Sequence, residues 1–370
     1  MVQFGLRSLL YDRVRFAISI GAVAFAILLI LLLRGIMDGT IARTTVYIER
    51  VGADLFVTQS GVEHMALGVP ILPAGIEDRV AAVDGVELAA AIVRVPAIVD
   101  IGGAWLPTSV VGFDPALGLG GPWLMDEGTT DLSEEGVIVD ATVARVEDLA
   151  LGDEISISGQ RFVIEGTSID TNAMATGRSL FVRRDVAERL FLSAGLSNFV
   201  LVRVAEGAEI PQVRAAIRET IPGVEVLSRD ELAESDERLW RQLFGVPVNV
   251  MASAALLVGF AAMGLAIYAA ASERANDFGV LKAIGAPNSY LYRVVLQQAL
   301  LIGLVGFVLG VAMAWAAGEV IEYVTPELGV EMRVPYVART LGITLLLSVV
   351  AAAIPVRRIG GLDPLRVFTR

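Results

Sequence analysis

Apolar residues are concentrated in four long blocks of the chain that carry almost no charge. The blocks cover residues 16–33, 246–271, 294–318 and 337–356, and the last contains one charged residue, Arg339, near its start. A helix needs about 20 apolar residues to cross the hydrocarbon core of a bilayer, so each block is long enough to span a membrane. Because four such blocks are not typical of buried helices in a globular core, the pattern predicts four membrane spans.

The first block follows three basic residues, Arg7, Arg13 and Arg15, a pattern that cleaved signal peptides share. The apolar run is long, however, and Leu28–Leu33 at its end offers no small-residue cleavage site. We therefore expect an uncleaved first span.

The segment between the first two blocks, residues 34–245, follows a different pattern. Short β-type runs alternate with short helical runs, and turn signals separate them. The predicted strands are Asp54–Gln59, Ala89–Asp100, Leu106–Phe113, Gly136–Asp140, Glu154–Ser158, Arg161–Ile169, Ser179–Val182, Asn198–Val204 and Val224–Leu227. The predicted helices are Ala74–Val83, Ala141–Leu149, Arg184–Leu192 and Pro211–Ile221. This pattern predicts an α+β domain, of one or two subdomains, that is long enough to bury its own core.

Helices are expected at both ends of this domain. Ser228 and Glu231 form a capping-box pattern that opens a helix over residues 228–245, and this helix has one apolar stripe among many charges. It runs almost directly into the second apolar block, and residues 36–50 leave the first block in a similar way. We interpret the two as a stalk between membrane and domain; the alternative is a pair of ordinary surface helices.

Charge is distributed unevenly and sets the expected orientation. Basic residues outnumber acidic ones in residues 1–15, 272–293 and 357–370, whereas acidic residues predominate in 34–245 and 319–336. Loops rich in arginine and lysine stay in the cytoplasm, so both termini and residues 272–293 are expected inside. The net charge of −12 therefore comes from the external segments, and it argues against nucleic-acid binding.

The predicted fold class is a membrane protein with four transmembrane α-helices and a large α+β extracytoplasmic domain inserted between helices 1 and 2. The predicted segments are a cytoplasmic N-terminal segment (1–15), TM1 (16–33), the extracytoplasmic domain (34–245) with its stalk helix (228–245), TM2 (246–271), a cytoplasmic loop (272–293), TM3 (294–318), an external loop (319–336), TM4 (337–356) and a cytoplasmic tail (357–370).

Small residues recur along two of the spans at helical spacing. Such stripes let helices approach closely in lipid, where packing rather than hydrophobicity drives association. Which stripe meets a second subunit stays open, and the general abundance of alanine and glycine is the alternative explanation. The packing candidates are Ala255, Gly259 and Ala262 in TM2 and Gly303, Gly306, Gly310 and Ala314 in TM3.

The composition excludes several kinds of chemistry. The chain has no cysteine and a single histidine, His64, so disulfides, cysteine nucleophiles and most zinc and histidine-based catalysis are excluded. His64 is either a metal or haem ligand or a surface or structural histidine, and we expect the latter. The spans have no acidic residue or lysine at their centres, which argues against a channel or an ion-coupled transporter. We expect no catalytic residue and no bound metal.

The loop between TM2 and TM3 has the pattern of a short amphipathic helix. In a helix, Phe278, Leu281 and Ile284 would lie on one side, and Gly285 and Pro287 would end it. Such a helix on the cytoplasmic side is suited to dock in a groove of another protein; the alternative is an interfacial loop anchored by its charges. The chain contains no G-x-x-x-x-G-K-[ST] motif, so it has no P-loop of its own for ATP.

The loop from Glu273 to Ala286 resembles the corresponding loop of FtsX-like, MacB-type ABC transporter permeases. Its sequence, ERANDFGVLKAIGA, follows the family pattern E-R-x-x-E-[FI]-G-[VIL]-L-[KR]-A-[LIM]-G-A, with Asp277 where the family usually has Glu. The tail from Arg357 to Arg366 resembles the family's closing R-x-x-x-x-D-P pattern, and the predicted topology also matches. The resemblance covers essentially the whole chain, and DevC-like and heme-exporter-like members are the most similar subgroups.

The resemblance implies a MacB-like periplasmic core in residues 34–245 and a coupling helix that contacts a separate ATPase chain, on which ATP and Mg would be bound. MacB itself carries its ATPase on the same chain, so this protein departs from that arrangement. The resemblance also implies a homodimer in the bacterial inner membrane, in contact with membrane lipid, with an extracytoplasmic adaptor as an optional partner. The implied ATPase contacts are Glu273, Arg274, Asp277, Phe278, Gly279, Leu281, Lys282, Ala283 and Gly285.

Three functions follow from these expectations. The first is the permease subunit of a mechanotransmission-type ABC transporter, which couples ATP hydrolysis on its partner to export or extraction of an amphiphilic substrate at the outer membrane face. The alternative is an FtsX-like signal transducer that activates an extracytoplasmic cell-wall hydrolase without transport. A receptor that works without an ATPase is disfavoured by the loop motif.

Overall fold

The computed structural model describes residues 13–101, 103–171, 178–273, 280, 287–325 and 328–360. Their contacts form two units. The helical unit consists of the described residues of Met1–Asp38, Phe244–Val324 and Val330–Arg370, and the α+β unit consists of those of Gly39–Leu243 and Thr325–Gly329.

Among the described elements, a region rich in strands follows the first long helix and precedes the other three. The helices are α1 (Arg13–Arg50), α2 (Ile76–Ala81), α3 (Ala141–Val146), α4 (Arg184–Phe191), α5 (Ile210–Thr220), α6 (Arg229–Glu273), α7 (Asn288–Val324) and α8 (Val334–Gly360). The strands are β1 (Leu55–Gln59), β2 (Val86–Ile101), β3 (Ala104–Phe113), β4 (Met125–Gly128), β5 (Gly136–Asp140), β6 (Glu154–Ile157), β7 (Gln160–Ser168), β8 (Ser179–Arg183), β9 (Phe199–Val204) and β10 (Val224–Ser228).

The four apolar blocks lie within the four longest helices. Within the described residues, α1, α6, α7 and α8 are long and apolar enough to cross a membrane. Helices are the expected form because lipid offers no hydrogen-bond partner to an open backbone. Side chains from all four helices share one core, and this confirms the predicted fold class. Its buried members include Val23, Ile27, Met263, Ile267, Leu291, Val295, Ala299 and Ala351.

Helices α1 and α6 continue past their apolar blocks into the α+β unit. The predicted stalk segments are therefore continuations of the spans and not separate helices. The predicted capping box forms at the start of α6, where the Ser228 N–H donates to Glu231 Oε2 at 3.0 Å and the Glu231 N–H donates to Ser228 Oγ at 3.3 Å. Pro247 lies inside α6 without ending it.

A sheet of ten described strands forms the frame of the α+β unit, in the order β10-β1-β9-β2-β3-β8-β5-β7-β4, with β6 pairing with β2 and β7. The pairs β3–β8 and β5–β7 are parallel, and the other pairs are antiparallel. The first half of β2 pairs with β9 and its second half pairs with β3. The two halves of the unit therefore share one long strand instead of forming separate sheets.

Apolar residues that alternate along the strands bury both faces of the first half of this sheet. In β1, Phe56 faces a core that includes Tyr47 of α1 and Leu232 of α6. Leu55 and Val57 face the opposite core, which α2 and α5 cover. A further core lies under α3 and α4 in the second half. Helices α1 and α6 are thus built into the domain at their far ends.

The strands and helices expected from the sequence agree with the observed ones to within a few residues, with one strand missed. The missed strand, β4, is short, largely exposed and located at the end of the described sheet order, next to β7. An edge strand that buries almost nothing needs no apolar alternation, so its sequence, MDEG, carries no strand pattern.

Candidate functional site

The predicted ATPase contacts lie where the chain passes from α6 to α7. Glu273 is the last residue of α6, and α7 begins at Asn288. Between them the structure describes Val280, which is helical and exposed, and Pro287. The flanking helices place this loop directly between two spans. The remaining predicted contacts lie outside the described residues: Arg274, Asp277, Phe278, Gly279, Leu281, Lys282, Ala283 and Gly285.

The glycines of the two small-residue stripes lie against other helices of the same chain. A Cβ at Gly259 would be 2.5 Å from that of Ala26 on α1, and a Cβ at Gly310 would be 2.6 Å from that of Ile27 on the same helix. Gly303 lies against α8 instead. In this structure the glycines therefore allow close contacts within one subunit. The remaining candidates are buried (Gly306 and Ala314) or half-buried (Ala255 and Ala262).

A buried ion cluster connects α6 to the sheet within the α+β unit. The Arg94 guanidinium on β2 is 2% exposed and donates to the carbonyl of Met65, to that of Ala66 at 3.4 Å and to Ser109 Oγ at 3.2 Å. Asp236 on α6 accepts the backbone N–H of Met65 at 2.9 Å and that of Ala66 at 3.4 Å. The loop that contains Met65 and Ala66 is thus held from both sides, by strand β2 and by the first part of helix α6.

Burial controls the electrostatics of this cluster. It raises the pKa of Asp236 to about 6, although the Ala66 N–H and the Arg94 guanidinium favour the ionised form. Burial also lowers the pKa of Arg94, against the effects of Asp236 and Tyr47. His64 Nδ1 lies 3.8 Å from Asp236 Oδ1. Within the described part of the chain, no group of three or more metal-binding side chains is placed to hold an ion. The hydrogen bonds of Arg94 and Asp236 to Met65 and Ala66 are suited to holding this loop.

Comparison with known families assigns this architecture. The model of the MacB-like periplasmic core domain matches residues 16–220, which is more than half of the chain. The model of the FtsX-like permease C-terminal region matches residues 249–364. The chain belongs to the MacB/FtsX-type family of ABC transporter permeases. The two matches together cover most of the helical unit, strands β1 to β9 and the loop between α6 and α7, whereas residues 221–248, with β10 and the first part of α6, lie outside both.

Individual relatives align with the permease at low identity. The uncharacterized ABC transporter permease Rv0072 of Mycobacterium tuberculosis is 25% identical over 372 residues, which cover 100% of this chain and 99% of the relative. The uncharacterized ABC transporter permease MJ1507 of Methanocaldococcus jannaschii is 26% identical over 60% of this chain and 58% of its own length. The pyoverdine export ATP-binding/permease protein PvdT of Pseudomonas fluorescens is 19% identical, and the permease spans 59% of that relative.

The ion cluster of the permease was not predicted from the sequence, although Arg94 and Asp236 are both charges at positions where the pattern expects apolar residues. Arg94 is a lone charge within an apolar strand run, which begins at Ala89. Asp236 occupies the apolar stripe of the stalk helix, four residues from Leu232 and four from Trp240. A charge in a position that should be buried indicates a partner, because a buried charge without one is costly.

Proposed function

We propose that the permease is the membrane subunit of a mechanotransmission-type ABC transporter. It couples ATP hydrolysis on a separate ATPase chain to export or extraction of an amphiphilic substrate at the outer membrane face. The family supports the general class, and the separate ATPase chain is part of the proposal. In this proposal the permease is a non-catalytic homodimer in the bacterial inner membrane, with both termini in the cytoplasm, and ATP and Mg are bound by the ATPase.

The continuity of α6 is the observation that carries this proposal. The helix runs without a break from Arg229, beside the sheet, to Glu273, at the predicted ATPase contact. A displacement of the loop by the closing ATPase would reach the α+β unit along this helix and, in the same way, along α1. Because this path leads along the helices and not through an aqueous pore, the mid-span regions need no ionisable groups.

The same path would also serve an FtsX-like signal transducer, which moves an outer domain to activate a cell-wall hydrolase. The two functions differ in what leaves the complex. Release of an amphiphile that depends on ATP supports transport, whereas co-purification with a peptidoglycan hydrolase and no release supports signalling. An extracytoplasmic adaptor would be compatible with either function.

The coupling role of the loop can be tested with Phe278→Asp. A charge on the apolar side of the predicted helix should abolish docking, so stimulation of the ATPase by the permease should be lost in reconstituted vesicles. Asp277→Glu, which restores the usual family residue one position away, is the matched control and should retain stimulation. Normal ATP turnover and normal transport in Phe278→Asp would refute the proposed function.

A further inference from the structure

The helical unit contains a cavity of about 410 Å³ between α1, α6 and α8. This volume lies in the range of small-molecule sites. Polar and charged side chains occupy part of its lining: Arg34 on α1, Asn249 on α6, and Tyr336 and Arg339 on α8. These residues are at the ends of the apolar blocks that the positive-inside pattern places outside, where basic residues are not expected.

Arg34 is fixed by neighbours within the protein. Its Nε lies 3.6 Å from Oδ2 of Asp38, Nη1 donates to Asn249 Oδ1 at 3.3 Å, and Nη2 donates to Tyr336 Oη at 3.4 Å. The guanidinium also lies over the Tyr336 ring, 4.7 Å from its centre. These contacts are long, so they orient the guanidinium while leaving it capacity for a further, stronger acceptor.

Arg339 differs from Arg34 because nothing in the described part of the chain pairs with it. No described carboxylate lies within 4.0 Å of its guanidinium, and no described acceptor receives a hydrogen bond from it. Arg339 lies near the start of α8 and is exposed. An anion in the cavity would pair with this cation as well as with Arg34.

An apolar cleft adjoins the cavity. It is lined by Val23, Phe260 and Met263, among others, and shares Ile30 and Leu256 with the cavity. Its free volume of about 20 Å³ is too small for an acyl chain, so its side chains must move before a chain can enter. A cationic cavity beside an apolar cleft is complementary to an amphiphile that has an anionic headgroup and an apolar chain.

We propose that this cavity binds a lipid-like molecule with an anionic phosphate or carboxylate headgroup. The headgroup lies between Arg34 and Arg339, and the acyl chain follows the cleft between α1 and α6. The inference deepens the proposed function and rests on it only in calling the bound molecule a transport substrate. Asn249 and Tyr336 supply polar contacts around the headgroup, and they carry no charge that would favour a zwitterion.

Binding can be measured on the full-length permease alone, purified in a nonionic detergent, by native mass spectrometry. The probes are lysophosphatidylglycerol, which is anionic, lysophosphatidylcholine with the same acyl chain, which is zwitterionic, and inorganic phosphate. The anionic lipid should bind about tenfold more tightly than the zwitterionic lipid. Inorganic phosphate, which has no chain for the cleft, should bind weakly.

Variants of Arg339 separate the headgroup site from general lipid adsorption. Arg339→Gln should lower affinity for the anionic lipid about tenfold and leave the zwitterionic lipid unaffected, whereas Arg339→Lys should restore part of the affinity because it keeps the charge. Arg333→Gln is the matched control, because Arg333 pairs with Glu331 at 2.9 Å and does not line the cavity. Equal affinities for the two lipids, an unchanged Arg339→Gln variant, or phosphate binding as tightly as the lipid would each overturn the proposal.

The outcome is independent of the coupling experiment. Phe278→Asp should bind the anionic lipid as wild type does. If the wild-type permease showed no preference for the anionic lipid while Phe278→Asp lost ATPase stimulation, this inference alone would be overturned. Retained binding with normal ATPase stimulation in Phe278→Asp would overturn the proposed function alone. With the cognate ATPase present, release of bound lipid on ATP addition supports a substrate, and retention through turnover contradicts that assignment.

Discussion

Asp236 is the residue at which a change of pH should act on the permease. It is 1% exposed, accepts two backbone N–H groups, and faces Arg94 on β2 and His64 in the loop, with Tyr47 of α1 beyond Arg94. Burial raises its pKa from 3.8 to about 6. Between pH 3.8 and about 6, Asp236 is protonated in the closed cluster and ionised once the cluster opens. The closed cluster is therefore stabilised at low pH, and this contribution to its free energy is lost as the pH rises through this range.

Hydrogen exchange of the Met65 and Ala66 amides should reveal this dependence. After correction for intrinsic rates, the free energy of local opening should fall by up to about 3 kcal/mol between about pH 4 and pH 7. Asp236→Asn keeps an acceptor oxygen but cannot ionise, so the fall should disappear. Glu237→Gln, at the surface beside Arg241, is the control and should leave the fall unchanged. The same protection at both pH values in the wild type would contradict the argument.

The Arg94–Asp236 cluster could be predicted from the sequence only in part. The lone charge at Arg94 and the polar position at Asp236 are visible in the sequence, but their pairing depends on β2 and α6 meeting across the fold. No local period encodes a contact between segments so far apart in the chain. The predicted ATPase contacts around Phe278 have a different limit, because they come from a family resemblance and would depend on a partner chain.

At the scale of the elements, Gly310 tests the contact between two of the long helices. A Cβ at this position would lie 2.6 Å from Ile27 Cβ and 2.7 Å from the Ala24 carbonyl oxygen, so Gly310→Ala must push α7 away from α1. Overpacking of this kind typically costs about 1–3 kcal/mol. We expect a lower unfolding temperature for the variant in detergent, followed by intrinsic tryptophan fluorescence.

Gly264→Ala is the matched control for this substitution. Gly264 also lies in a spanning helix, but nothing lies within 4 Å of a Cβ built there. Alanine is favoured over glycine in a helix by about 1 kcal/mol, so this variant should be as stable as wild type or more stable. If both variants lost the same stability, the α1–α7 contact would not be the cause.

The elements themselves were predictable to different degrees for physical reasons. The four spans were the most predictable elements, because a long apolar helix satisfies its own backbone hydrogen bonds in lipid. The capping box at Ser228 also located the start of α6 correctly. The edge strand Met125–Gly128 was missed because it buries little. The small-residue stripes were visible, but their partners were not, since a stripe describes one surface and a contact needs two.

At the scale of the whole molecule, two helices link the membrane blocks to the sheet. Helix α6 has 45 residues, which at 1.5 Å per residue gives a length of about 68 Å. It carries Asp236 near one end and Glu273 at the other. If the helix transmits force, then the nucleotide state of the ATPase must alter the loop that Asp236 holds, and this effect must depend on the stiffness of the segment between them.

A pair of double variants at Leu243 and Phe244 tests this transmission. Both residues are exposed on α6, next to Gly245. Replacing both with glycine creates three consecutive glycines and weakens the helix by about 1 kcal/mol per residue relative to alanine, whereas replacing both with alanine removes the same side chains and keeps the helix.

In the complex with its ATPase, trapped with ATP and vanadate, hydrogen exchange at the Met65 and Ala66 amides should differ from the ATP-free state in wild type and in the alanine variant. The difference should vanish in the glycine variant while ATP turnover continues. A difference that survives in the glycine variant would show that α6 does not carry the signal, and α1 would then be the remaining helical path.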